Sequence, residues 1–243
     1  MIKQSSFIRL FILIFLANII WSCEDESKDG TDINREFEFF PLTLGKTWEY
    51  AYDSTTYLSG GTNVVKHSGF MLWSIRDTTE TGQFELLKSI KSKASDAYVP
   101  SRLERVYIDD NRLITTDQNV RFINLVFPPL LNTKWDGNIF FNDQIITFIG
   151  GDPFMIYDGW DYEITTRDTT MTINGVVYNN VLKVSQTDTE NAIERRLSEE
   201  YYAKNVGLIY KKLMILDSQK ISSNLPWEQK AESGLIFTLS LIK

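Results

Sequence analysis

From residue 37 to the end of the chain, apolar side chains recur at every second position in short runs separated by turn residues, and no long stretch repeats with the helical period. Period two puts successive side chains on opposite faces of a strand, so the pattern predicts an antiparallel all-β domain over 37–243. Trp48, Tyr50 and Tyr52 share one face of one strand, and Met71, Trp73 and Ile75 one face of another. Leu208, Tyr210, Met214 and Leu216 interleave with Ile209, Leu213 and Ile215, which predicts burial on both faces for part of that strand. Leu235, Phe237, Leu239 and Leu241 close the chain in the same alternation. Further strands are expected over 84–90, 102–109, 112–117, 121–127, 145–149, 160–166, 169–174, 176–186 and 194–203. In the last of these, Ile193, Leu197 and Tyr201 also fit a helix face; the segment is read as a strand. Two architectures meet the pattern, a β-sandwich and a partly open β-barrel, because inward and outward residues alternate in both.

Turn chemistry divides the chain at the same places. Asn174-Gly175, between Met171-Thr172-Ile173 and Val176-Val177-Tyr178, supplies the two residues able to take positive φ that a type I′ hairpin needs. Asp110-Asn111 is a second hairpin turn. Pro41-Leu42-Thr43-Leu44-Gly45-Lys46-Thr47-Trp48-Glu49 aligns without gaps on Pro128-Pro129-Leu130-Leu131-Asn132-Thr133-Lys134-Trp135-Asp136. Each copy offers a proline-started turn, a Gly or Asn suited to positive φ, and a Trp to anchor the next strand, as two similar β halves would.

The start of the chain reads as an address. Lys3 and Arg9 precede an apolar run from Leu10 to Ile20 that is shorter than the roughly 20 residues of a membrane-spanning helix. Ile20-Trp21-Ser22-Cys23 then resembles the bacterial lipobox: Ile20, Ser22 and Cys23 match, and Trp21 departs from the smaller residue usual there. The resemblance implies cleavage between Ser22 and Cys23, removal of a 1–22 signal peptide, and lipidation of Cys23, the single cysteine of the chain. Glu24, Asp25 and Glu26 resemble the short acidic run that follows the lipidated Cys in surface-exported Bacteroidota lipoproteins, which implies an outer-membrane anchor and exposure on the cell surface. Residues 23–36 are rich in charge and hold one large aliphatic side chain, Ile33, so they are read as an acidic flexible tether.

The body of the chain carries a second resemblance. Phe40-Pro41-Leu42, Gly45 and Trp48-Glu49-Tyr50, then Trp135-Asp136-Gly137-Asn138, then Tyr202-Ala203-Lys204-Asn205-Val206-Gly207-Leu208-Ile209 are similar to the opening and closing motifs of a Bacteroidota lipoprotein family with no established activity. The likeness spans roughly 38–216 and implies an all-β lipoprotein domain without a transferable catalytic set. Pro41, Gly45, Trp48, Trp135, Gly137 and Gly207 are read as structural residues of these motifs, Gly207 as a bend between strands.

Little in the sequence signals a reaction. A net charge of −7 disfavours nucleic acid as a partner, and a single Cys excludes an intramolecular disulfide. His67 is the only histidine and sits beside Ser68, whose side chain points to the other face of a regular strand, so the two do not form a nucleophile–base pair. No phosphate loop, dinucleotide fingerprint or nucleophile elbow occurs, and no cofactor or resident metal is expected. Asp152, Asp158, Trp160 and Asp161 form the one concentration of carboxylates and aromatic rings that offers contacts to a ligand or a calcium ion. The reading is a non-enzymatic, lipid-anchored binding or interaction module for a protein, glycan or hydrophobic ligand. One alternative is a carrier with a continuous apolar cavity in an open barrel; a weaker one is a glycan-active enzyme using Asp and Glu.

Overall fold

The computed structural model describes residues 35–58, 60, 63–221 and 224–242; the expected leader and the lipidation site at Ser22 and Cys23 lie outside the described residues. Strands form where the alternation placed them. In the first half they are β1 (Thr47–Tyr57), β2 (Val64–Thr78), β3 (Phe84–Lys91), β4 (Val99–Asp109), β5 (Arg112–Asp117) and β6 (Val120–Val126). The second half holds β7 (Lys134–Trp135), β8 (Thr147–Ile149), β9 (Asp152–Phe154), β10 (Tyr162–Ile173), β11 (Val176–Glu190), β12 (Glu194–Ala203), β13 (Gly207–Asp217) and β14 (Ser233–Leu241). Twelve of these make one antiparallel sheet, in the order β6-β5-β4-β3-β2-β1-β14-β13-β12-β11-β10-β7, and that sheet is nearly closed into a barrel. β8 and β9 pair with each other as a separate two-stranded sheet.

The barrel, not the sandwich, is therefore the architecture. Its cause is connectivity: β1 to β6 and β10 to β14 each run as a meander in which chain neighbours pair, so no strand crosses to a second large sheet. The two meanders join where β1 pairs with β14 from Tyr50 opposite Leu241 to Tyr57 opposite Gly234. On the far side, β6 and β7 are bridged by the Ile123 amide donating to the Gly137 carbonyl at 2.9 Å and the Trp135 indole donating to the Ile123 carbonyl at 2.8 Å. The segments expected over 160–166 and 169–174 are one strand, β10, which shifts register against β11 at several points and so absorbs the polar stretch between them. Residues 194–203 are β12, a strand throughout.

The repeated motif repeats in three dimensions. In the first copy Lys46 N–H bonds to the Thr43 carbonyl at 3.0 Å, Gly45 N–H to Ile75 at 2.9 Å, and Ile75 N–H to Lys46 at 2.9 Å. In the second, Thr133 bonds to Leu130 at 3.1 Å, Asn132 to Ile164 at 2.8 Å, and Ile164 to Thr133 at 3.0 Å. Gly45 and Asn132 hold matching left-handed conformations, φ 79 and 64, and each turn delivers its Trp opposite an aromatic partner, Trp48 against Trp73 and Trp135 against Tyr162. The Asn174-Gly175 hairpin has φ 48 and 81, as its type requires.

One core lies inside the barrel and a smaller one outside its wall. Trp48, Tyr50, Ile75, Tyr162, Ile164, Leu182 and Ile209 belong to the first. Tyr57, Leu197, Met214, Leu216, Trp227 and Ala231 form the second, roofed by a single helical turn, α1 (Trp227–Lys230). This explains the burial of β13 on both faces: Leu213 lines the interior while Met214 and Leu216 face α1. The chain is held to the barrel from the first described residues onward. Glu36 is the reason, since it pairs with Arg167 at 2.6 Å and Lys204 at 3.2 Å. Phe37–Phe39 then make a 3-10 turn, and Phe39 and Phe40 are buried, Phe40 with its ring 5.5 Å from that of Trp48.

Candidate functional site

Away from the entry at Arg35, the interior changes character. Lys88 on β3, Glu104 on β4, Glu200 on β12 and Lys211 on β13 occupy inward positions that elsewhere carry aliphatic side chains, and with Trp73, Tyr157 and Trp160 they line a cavity of about 260 Å³. Two ion pairs stand deep in it, Lys88 with Glu104 at 2.6 Å and Lys211 with Glu200 at 2.7 Å. A third, Arg102 with Asp117, stands at the mouth, where the Arg102 side chain is 47% exposed against 3% for Glu200. The mouth is at the end of the barrel remote from Arg35: Arg35 bonds to the turn residue Asp110, whereas Arg102 and Asp117 lie toward the other ends of β4 and β5.

These charges are coupled. Burial alone works to raise the Glu200 carboxyl, but the Lys211 ammonium and hydrogen bonds from Lys211 and Tyr202 prevail and hold it below its ordinary value. Burial likewise works against the Lys211 ammonium, and Glu200 reverses this, keeping it above the usual lysine range. Lys88 goes the other way: burial pushes it down, Glu104 offsets only part of that, and Lys211 adds repulsion. A carboxyl held ionised in this manner is the opposite of the raised general acid of a glycosidase. Burial also drives the Tyr157 hydroxyl up beside Asp117.

Three polar atoms here are left over. Trp73, Trp160 and Asp117 line this cavity, and the indole nitrogens of the first two and the Oδ1 of the third are buried with no hydrogen-bond partner among the described residues. Buried N–H and carboxylate groups carry a desolvation penalty when unpaired, so a cavity that presents them is built to receive polar atoms. Aromatic rings complete the wall across the incompletely paired side of the barrel. Phe122 on β6 lies 5.4 Å from Tyr157, Tyr157 lies 5.2 Å from Trp160, and Trp160 lies 6.1 Å from Tyr162 on β10. The cavity lining mixes aromatic rings, aliphatic side chains and the paired charges, so its apolar surface is interrupted by ions.

The structure splits the carboxylate and aromatic concentration of residues 152–161. Trp160 turns into the cavity, while Asp158 and Asp161 are exposed and Asp161 lies 3.9 Å from Lys134; Asp152 belongs to β9. Among the described residues no group of three His, Cys, Asp or Glu side chains is placed to hold a metal ion. His67 is exposed on β2. The motif residues are architectural in placement. Trp48 donates to the Val206 carbonyl at 2.6 Å, next to Gly207, whose φ of 106 strains any other residue and where an added Cβ would stand 3.0 Å from the Trp48 indole nitrogen. A Cβ on Gly137 would stand 2.4 Å from the Tyr162 ring, so this glycine lets the loop after β7 lie flat on it. Gly45 and Trp135 set the paired turns and the bridged side of the barrel, and Pro41 leads into the first of those turns.

The ionic residues of the cavity escaped sequence reasoning, although a signal exists. Leu86 and Lys88, Glu104 and Val106, and Glu200 and Tyr202 are each two apart, so the charges sit in phase with buried neighbours. A charge in the inward register of a strand marks a polar interior.

No family model and no curated protein matches this chain. Two solved structures resemble it in outline. One is a candidate exported protein with a YmcC-like fold from Bacteroides fragilis NCTC 9343, at a TM-score of 0.36 and 11% identity, covering 84% of this chain and 99% of that one. The other is a candidate lipoprotein from Parabacteroides distasonis ATCC 8503, at a TM-score of 0.34 and 13% identity, covering 84% and 98%.

Proposed function

We propose that this protein is a lipid-anchored envelope lipoprotein of the Bacteroidota type, held in the outer membrane through Cys23, whose barrel binds a small molecule rather than transforming one. The observation that carries the binding reading is the set of unpartnered polar atoms, Trp73 Nε1, Trp160 Nε1 and Asp117 Oδ1, buried on three residues that line one cavity. The lipobox at Ile20–Cys23 and the acidic run behind it support the anchor, and the opening and closing motifs support the family.

Replacing Cys23 with Ala removes the acylation site. The variant is expected in the soluble envelope fraction, without lipid mass, where the parent chain partitions with membranes; a Cys23→Ala chain that stays membrane-bound overturns the anchor. For the cavity, the full-length chain extracted in mild detergent is examined by native mass spectrometry. A stoichiometric small molecule, lost on Trp160→Phe, is the expected result. A ligand-free mass, together with no binding across a broad panel of metabolites, overturns the binding reading.

A further inference from the structure

We propose that the cavity is a site for a single uncharged sugar ring, a neutral hexose or a polyol of that size, with Trp73, Trp160 and Asp117 as its recognition residues. This rests on the binding reading above and names its ligand class. Three properties of the cavity narrow the choice.

Charge is the first. Lys88, Arg102 and Lys211 are matched one to one by Glu104, Asp117 and Glu200, so the protein's own pairs already balance. A ligand with a net charge would bring an unmatched ion into a place where burying charge is costly, or would have to break a pair to find a partner. Hydrogen bonding is the second. The unpartnered atoms are two donors and one acceptor, and a hydroxyl group is the common function that can satisfy either kind. An acyl chain would leave all three unpaired. A ring bearing several hydroxyls meets them at once, with Lys88 and Tyr157 available to the remainder.

Size and surface are the third. The volume of about 260 Å³ falls just below the roughly 300–1,000 Å³ of drug-sized pockets, which suits one sugar ring inside the barrel. Trp73, Phe122, Tyr157 and Trp160 present aromatic surface in the same wall that holds the donors, and the C–H face of a pyranose packs on such rings while its edge hydroxyls reach outward. Lys88 lies 4.2 Å from the Trp73 ring centroid, a cation–π contact that holds that indole in the cavity wall.

The full-length chain in mild detergent is titrated with glucose, galactose and mannose, and in parallel with glucuronate, glucosamine and laurate, by calorimetry and saturation-transfer NMR. At least one uncharged hexose is expected to bind, at least tenfold tighter than glucuronate and glucosamine, and laurate is expected not to compete. Trp160→Phe keeps an aromatic ring but deletes the pyrrole N–H donor, and should weaken the hexose about five- to tenfold. Trp73→Phe provides the same readout from the other wall should the first variant fold poorly. Glucuronate, glucosamine or laurate binding more tightly than every hexose, with the loss on Trp160→Phe retained, overturns the ligand class while the binding site stands. Hexose binding that ignores both Trp variants overturns the assignment of the site. Silence from every probe together with a ligand-free native mass removes both.

Discussion

Glu200 shows how a single carboxylate can depend on its surroundings in the fold. It is 2% exposed, accepts hydrogen bonds from Lys211 and Tyr202, and is kept ionised against the pull of burial. Because its native value lies below the ordinary 4.5, its contribution to stability is complete above about pH 4.5 and is lost as pH falls from there through the native value. Lys211, held above 10.5, contributes fully below that pH and loses its share as pH rises through its own native value. Glu200→Gln strands the Lys211 ammonium and should cost about 3 kcal/mol at neutral pH, read from urea unfolding. The same variant should flatten the acid limb of the stability profile; an unchanged acid limb would mean that another carboxylate governs it. Sequence reasoning placed Glu200 in a strand over 194–203 but assigned it no inward role. Its phase with Tyr202 and Ser198 points inward, but phase says where a side chain goes and not what awaits it there.

Strands were legible for a different reason. Alternation is a local property, and the turns that end each strand announce themselves by Gly, Asn or Asp in positive φ, so β10–β11 and β4–β5 could be placed from a few residues. What stayed hidden was long-range. The pairing of β1 with β14 depends on residues at opposite ends of the chain, and β7 and β9 are too short to show a period. The paired turns offer a direct test of how much the local signal specifies. Gly45 has open space where a Cβ would stand, so only its φ of 79 constrains it, and its counterpart in the second half is an asparagine at φ 64. Gly45→Asn should therefore cost less than about 1 kcal/mol and Gly45→Val about 2 kcal/mol, since a β-branched residue resists the left-handed region. Urea midpoints at constant m-value measure the difference. Equal costs for the two variants would show that the turn rearranges and that the match between the halves is superficial.

At the scale of the whole barrel, packing and ionic lining divide the interior between two tasks. The end beneath Phe39, Phe40 and Trp48 is filled by rings and aliphatic chains, and it resists unfolding by burying apolar surface. The other end spends inward positions on Lys88, Glu104, Glu200 and Lys211, and ions there are poor stabilisers because their desolvation cancels much of their mutual attraction. If stability were the purpose, apolar residues of similar volume would serve as well or better. The double variant Lys88→Met with Glu104→Leu tests this division, because it removes both members of one pair and leaves no stranded charge. Its unfolding free energy should match the parent's or exceed it by about 1–4 kcal/mol. Its affinity for whatever the cavity binds should nevertheless fall at least tenfold, since Lys88 packs on the Trp73 indole at 4.2 Å and both members of the pair line the cavity. Thermal unfolding and ligand titration on the same sample separate the two effects. A double variant that loses stability and affinity together would place Lys88 and Glu104 in the architecture of the barrel, whereas stability kept with affinity lost identifies a wall maintained for recognition.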